Sequence, residues 1–185
     1  MTVVKNGKLN KGWVGQTIEK AGNILGGNLQ LPDGADFELK SVSLIKRKDL
    51  WVPKETMAIT SFNPEQILTQ RFEGSALWHK LERMIIVGCY HESKTNCRVI
   101  TVKPVDVSDP SLIQKIENYW YHIKDTVELG EIADYSSKGT SSGFIQLRTK
   151  GSGKTESTCP ITGRKFKTRA FYATKIFLKY VLGLM

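Results

Sequence analysis

The stretch Asp36-Phe37-Glu38-Leu39-Lys40 alternates charged and apolar residues. Period-two alternation is the signature of a β-strand, because successive side chains leave opposite faces. It places Glu38 and Lys40 on one face and Phe37 and Leu39 on the other. The preceding Pro32-Asp33-Gly34 is a turn signal, and Val42 and Leu44 continue the parity of the charged pair. Phe37 and Leu39 are therefore expected to point into the core. Asp33, Asp36, Glu38 and Lys40 all fall between positions 33 and 40. Carboxylates gathered at a strand end repel one another unless a cation lies between them. Hard divalent ions bind through one or two carboxylates plus water and phosphate oxygens. A lysine on the same face, roughly 7 Å along the strand, suits phosphodiester hydrolysis.

The rest of the chain alternates helical and extended patterns, which implies a mixed α/β fold. Trp13, Thr17, Ala21 and Ile24 share a helical face, with Gly26-Gly27 as a stop. TMAITSF, RMIIVGCY, CRVITVKPV and GFIQLRTK read as strands, and SALWHKLER as a helix. Asp109-Pro110 opens a longer helix with the apolar stripe Leu112, Ile116, Trp120 and Ile123, closed by Gly130. GSGKTESTCPITGRKFKTR reads as a polar, basic loop, and AFYATKIFLKYVLGLM as an amphipathic C-terminal helix. The architecture expected is a single domain over 1–185: a mixed central sheet of about five strands flanked by helices.

A net charge of +9 favours a polyanionic partner. Cys89, Cys97 and Cys159 are odd in number and lack CxxC spacing, so neither a disulfide framework nor a zinc site is expected, and a reducing cytoplasm is. No secretory signal is read at the N-terminus, and no apolar run is long enough for a membrane span. KGSGKTES imitates a phosphate-binding loop, but position 148, where that motif requires glycine, is arginine. It reads instead as a basic loop that orders on DNA, with Lys154, Arg164, Lys165, Lys167 and Arg169 nearby. The tryptophans Trp13, Trp78 and Trp120 read as core, and His122 as structural.

Six blocks in order, KGWVGQTIEKAGN, PDGADFELKSV, LWHKLERMIIV, YWYHIKDTVELGEI, FIQLRTK and RAFYATKIFLKYVLG, resemble the MutH family. That family holds a mismatch-repair strand-nicking endonuclease and related type II restriction endonucleases of the PD-(D/E)XK superfamily. The resemblance runs from about Lys11 to Gly183. It implies a restriction-endonuclease-like fold with a DNA cleft between an N-terminal catalytic part and a C-terminal part beginning near residue 105. Asp33, Glu38 and Lys40 resemble the catalytic trio, with Asp33 and Glu38 as metal ligands. Glu19 resembles a supporting acid, and Lys80 a second lysine near the active site. Arg148, Lys150 and Tyr172 resemble DNA-facing residues, joined by Lys154 and Lys165 from the basic loop.

The pattern departs from the repair enzyme at one point. There the first acid lies two residues further from the glutamate, where this chain has Leu31. Asp33 keeps the preceding proline, and Asp36 competes for the role. The shorter spacing follows restriction relatives. The expected activity is thus a Mg²⁺-dependent type II restriction endonuclease, with Mn²⁺ as a substitute ion, cutting a short site such as GATC in double-stranded DNA. The alternatives are a repair nickase assisted by a MutL-type partner and a non-catalytic DNA-binding module. A homodimer on DNA is one implied arrangement, since a single domain carries one active site.

Overall fold

The computed structural model describes residues 4–5, 8–9, 12–22, 37–137, 141–151 and 153–184. Its strands are β1 (Val4–Lys5), β2 (Lys8–Leu9), β3 (Glu38–Arg47), β4 (Leu50–Pro53), β5 (Met57–Ser61), β6 (Met84–His91), β7 (Cys97–Pro104), β8 (Ile145–Thr149), β9 (Glu156–Thr158), β10 (Lys165–Lys167) and β11 (Arg169–Ala173). The α-helices are α1 (Trp13–Ala21), α2 (Pro64–Thr69), α3 (Ala76–Leu81), α4 (Pro110–Glu128) and α5 (Lys175–Leu182). The mixed α/β class read from the patterning is what the structure shows. The chain divides into two compact units. One comprises Met1–Glu55, Glu82–Val105 and Lys179–Met185, and the other Thr56–Leu81 and Asp106–Leu178. The turn at Asp33, the competitor Asp36 and the Gly26-Gly27 stop lie outside the described residues.

The first unit is built on a four-stranded sheet ordered β4-β3-β6-β7. β3 and β6 are parallel, with Glu38 opposite Met84 and Lys40 opposite Ile86, and the outer strands run antiparallel. Both sheet faces at the centre are covered. On one, Val42, Leu44 and Ile86 are buried; on the other, Val14 of α1 packs with Val87 and Cys89, and Trp13, Ile18 and Leu39 close over that cluster. This corrects the expectation for β3. The parity that carries Glu38 is the more deeply buried one, while Phe37 and Leu39 are half-buried. Val42 and Leu44 share that parity, and their burial takes the glutamate inside with them. The β3–β4 hairpin turns through Lys48 and Asp49, both at positive φ (46° and 66°), with Lys46 Nζ 2.9 Å from Asp49 across the turn.

The second unit holds a three-stranded antiparallel sheet ordered β5-β11-β8. α4 contributes Leu112, Ile116, Trp120 and Ile123 to its core, as the stripe implied. Asp109 caps α4 by accepting the Ser111 N–H, and Gly130 ends it at φ 75°. Two sequence expectations are corrected here. Arg169–Ala173 is a strand rather than the start of the last helix, because Phe171 and Ala173 alternate inward with Tyr172 outward and both sheet edges of β11 are paired. Helix α5 begins only after Thr174, whose hydroxyl accepts the Phe177 N–H. Part of the basic loop is also regular: β9 and β10 form a hairpin, so KGSGKTES leads into a strand rather than a helix.

Strand β8 is held in place by Tyr119 of α4. Its hydroxyl accepts the Leu147 N–H at 2.9 Å and lies 2.6 Å from the Tyr135 hydroxyl. Burial pushes the Tyr119 phenol well above its ordinary range, so it stays an O–H. Arg169, also buried, donates to the carbonyls of Ile132 and Tyr135 and stacks over the Tyr135 and Phe166 rings. The three cysteines are free thiols, and burial pushes Cys89 up to about 12. No helix among the described residues is long and apolar enough to cross a membrane. Replacing Tyr119 by Phe strands the Leu147 N–H in the interior and is expected to cost about 1–3 kcal/mol in urea unfolding. Tyr135→Phe, which leaves that N–H its acceptor, is expected to cost less.

Candidate active site

β3 starts at Glu38, whose N–H donates to the Arg83 carbonyl at 2.9 Å ahead of β6. That bond fixes where the glutamate enters the sheet. Its side chain is fully buried, and Lys40, two residues along the same face, is 26% exposed. The lysine folds back until its Nζ is 2.5 Å from Glu38 Oε1. A carboxylate removed from water must be matched by positive charge, and the ammonium of Lys40 supplies it. The half-exposed lysine links the buried carboxylate to solvent. The same pair of residues, spaced i and i+2, was the sequence's strongest chemical signal.

Glu19 lies half-buried on α1. Its Oε1 is 3.9 Å from where a Cβ on Gly15 would sit, and Ser41 Oγ of β3 is 3.5 Å from that same point. Both are ordinary contact distances, so this face of α1 meets β3 near Ser41 with Glu19 beside the contact. Lys80 is half-buried on α3 in the second unit. Asp33 lies outside the described residues, and among those described no three His, Cys, Asp or Glu side chains converge. The donor chemistry nonetheless fits a hard divalent cation. The buried group is a carboxylate, whose hard oxygen donors are those such ions prefer.

The second unit gathers another set. Arg148 and Lys150 flank the end of β8 on one face, with buried Leu147 on the other. Arg148 Nη1 donates to Thr56 Oγ1 at 2.8 Å, and its guanidinium lies 5.4 Å from the Tyr172 ring centre on neighbouring β11. Lys150 Nζ donates to Ser61 Oγ at 2.6 Å. Three residues expected to face DNA therefore share one sheet face. Thr56 and Ser61, which orient two of them, were missed, since they lie 92 and 89 residues away in sequence. The other two DNA-facing candidates lie elsewhere. Lys154 is exposed ahead of the β9–β10 hairpin, and Lys165, on β10, is 3.7 Å from Glu156. Arg164 is held by a bidentate pair with Asp134, which keeps that carboxyl below its usual range. His79 and His122 are exposed, and His122 merely tilts against Tyr119.

A buried carboxylate–lysine pair at the head of a central strand is the arrangement expected of a PD-(D/E)XK-type chain. Comparison with known proteins agrees. The family model described as "DNA mismatch repair enzyme MutH" matches residues 29–118, a stretch that contains Glu38, Lys40 and Lys80. The proteins named DNA mismatch repair protein MutH from Shewanella sp. (strain W3-18-1) and Shewanella putrefaciens (strain CN-32 / ATCC BAA-453) are each 27% identical over 192 residues, covering 99% of this chain and 83% of theirs. The protein of that name from Shewanella woodyi is 26% identical over 191 residues, covering 96% of this chain and 78% of its own. By these comparisons the chain resembles the MutH family. These relatives carry the repair name, so they favour the repair alternative over the restriction reading.

The pairing of Glu38 with Lys40 makes a direct prediction for stability. Lys40→Met is expected to destabilise the chain by about 3–5 kcal/mol, because a buried carboxylate loses its cation. Adding Glu38→Gln should recover part of that loss. A double-mutant cycle by chemical denaturation is expected to give a coupling of at least about 1 kcal/mol.

Proposed function

We propose that this chain is a metal-dependent endonuclease that nicks one strand of double-stranded DNA in the manner of mismatch repair. The observation that carries this reading is the buried Glu38–Lys40 pair at the head of β3, inside the segment matched by the MutH family model. Asp33 and Glu38 would hold a Mg²⁺ ion, with Mn²⁺ as a substitute and Glu19 in support from α1. When bound, the ion supplies Lewis-acid charge at the scissile phosphate. The ammonium of Lys40 directs a water for in-line attack and offsets negative charge growing on the phosphate oxygens. The cut leaves a 5′-phosphate.

Arg148, Lys150 and Tyr172 offer a cationic and aromatic face to the duplex, and Lys154 and Lys165 add sequence-independent attraction. A MutL-type ATPase is the partner this reading requires, GATC is the site to try first, and the cytoplasm is where such DNA would be met. A second reading keeps the spacing of Asp33 and Glu38 in view, which is the shorter one of restriction relatives. It makes the chain a type II restriction endonuclease that acts as a homodimer.

Supercoiled plasmid bearing GATC, incubated with Mg²⁺ and with or without a MutL-type ATPase, separates the readings. Nicked circles, increased by the ATPase, are expected. Linear fragments with both strands cut would replace nicking by restriction. Tight binding with no cleavage under either condition would make the chain a non-catalytic DNA-binding module. Glu38→Ala and Lys40→Ala are each expected to slow cleavage by at least about 100-fold, and parental rates would remove them from the site. For binding without metal, Arg148→Ala with Lys150→Ala is expected to lower the slope of log affinity against log salt by about 2. An unchanged slope would show that neither side chain meets a phosphate.

A further inference from the structure

The first unit carries a second concave site, at the far end of the strand that bears Glu38. It is an open cleft of about 420 Å³ beside the carboxyl ends of the parallel strands β3 and β6, lined by Trp13, Tyr90, His91, Lys54, Lys94 and Ser43 among others. Ser43 lies five residues along β3 from Glu38, about 16 Å, and on the opposite parity. The cleft is therefore separate from the carboxylate–lysine pair. In open α/β sheets the carboxyl ends of parallel strands are where ligands are received.

Its walls are aromatic and its rim is cationic. Trp13 and His91 stand edge to face at 6.3 Å and 84° on the face of β6 that also carries Val87 and Cys89. Tyr90, next along the strand, lines the cleft from the strand end with its ring turned to the opposite face, against Trp51. Lys54 is anchored next to Ser43 by its own N–H, which donates to the Ser43 carbonyl at 2.8 Å. Lys54 and Lys94 are exposed, and among the described residues neither has an acidic partner within ion-pair distance. Of the acids at this end, Glu92 is engaged with Arg98 and Asn96, and Asp49 with Lys46, while Glu55, next to Lys54 in sequence, is exposed. Flat apolar rings beside two lysines without acidic partners are complementary to a ligand that is itself a flat ring joined to an anion.

We propose that this cleft binds a nucleotide, its base against Trp13 and His91 and its phosphate between Lys54 and Lys94. The nucleotide is either free or part of an unpaired strand, since both present the same base and phosphate. An apolar ligand would leave the lysines without a role, and inorganic phosphate would leave the rings without one. This inference does not rest on the nicking reading.

Fluorine NMR of the full chain labelled with fluorotryptophan, without divalent metal, reads the cleft directly. Trp13 is assigned with Trp13→Phe, and Trp120, buried in the second unit, serves as the internal control. Thymidine monophosphate and a short oligothymidylate are expected to shift the Trp13 signal saturably while Trp120 stays in place. The Lys54→Ala/Lys94→Ala variant, with its Trp120 signal at the parental position, should bind the monophosphate about three- to tenfold more weakly. Tighter binding of the oligothymidylate assigns the site to an unpaired strand, and binding of the monophosphate alone assigns it to a free nucleotide. A Trp13 signal unmoved by both probes overturns the proposal. So does an equal shift with inorganic phosphate alone, or parental affinity in the double variant.

Discussion

A fully buried glutamate makes an exacting demand on the structure around it. Glu38 lies on the parity of β3 that also carries Val42 and Leu44, so the packing that buries those side chains takes a carboxylate out of water. The cost of that burial is large unless a cation is at hand. Lys40, two residues along the same face, is the nearest residue the chain can offer, and it takes that position. The order of the sheet follows the same logic. β3 is central and paired on both sides, so its backbone is fixed, while Lys40 carries the positive charge from the buried carboxylate toward solvent.

The second unit solves a different problem, which is how to hold a cationic face steady without burying it. Leu147 and Phe171 anchor β8 and β11 from below, and the Tyr119 hydroxyl takes the Leu147 N–H. With the backbone set, Arg148 and Lys150 are oriented by Thr56, Tyr172 and Ser61, each through a contact that leaves the cation exposed. Arg169 does the opposite from the same strand as Tyr172. It turns inward to two carbonyls and two rings, and contributes to packing rather than to the basic surface.

Much of this was legible along the chain because it depends on local periodicity. The alternation through Glu38 and Lys40 marked a strand and put both residues on one face, and the stripe of α4 named its core residues and both caps. The resemblance to the MutH family was carried by short blocks in order, and a relative named MutH is 27% identical over 99% of this chain. The errors also have local causes. RAFYA lies directly against a true helix, and aromatic residues suit either state, so only pairing with β5 and β8 decided for a strand. The basic loop hid a hairpin because its strands are three residues long, too short to show a period.

What the sequence determined by itself is the chemistry available at each position: a carboxylate and a lysine two residues apart on a strand, a helix stripe, and a surplus of positive charge. Only the tertiary structure decided which face of β3 is deeper, and hence that Glu38 is buried and paired rather than solvated. It alone brought Thr56 and Ser61 to the cations of β8, and Trp13 to His91 beside one cleft. The physical reason is common to all three. Periodicity reports which residues share a face of their own element, but burial and contact depend on what other elements lay upon that face, and those come from residues tens of positions away.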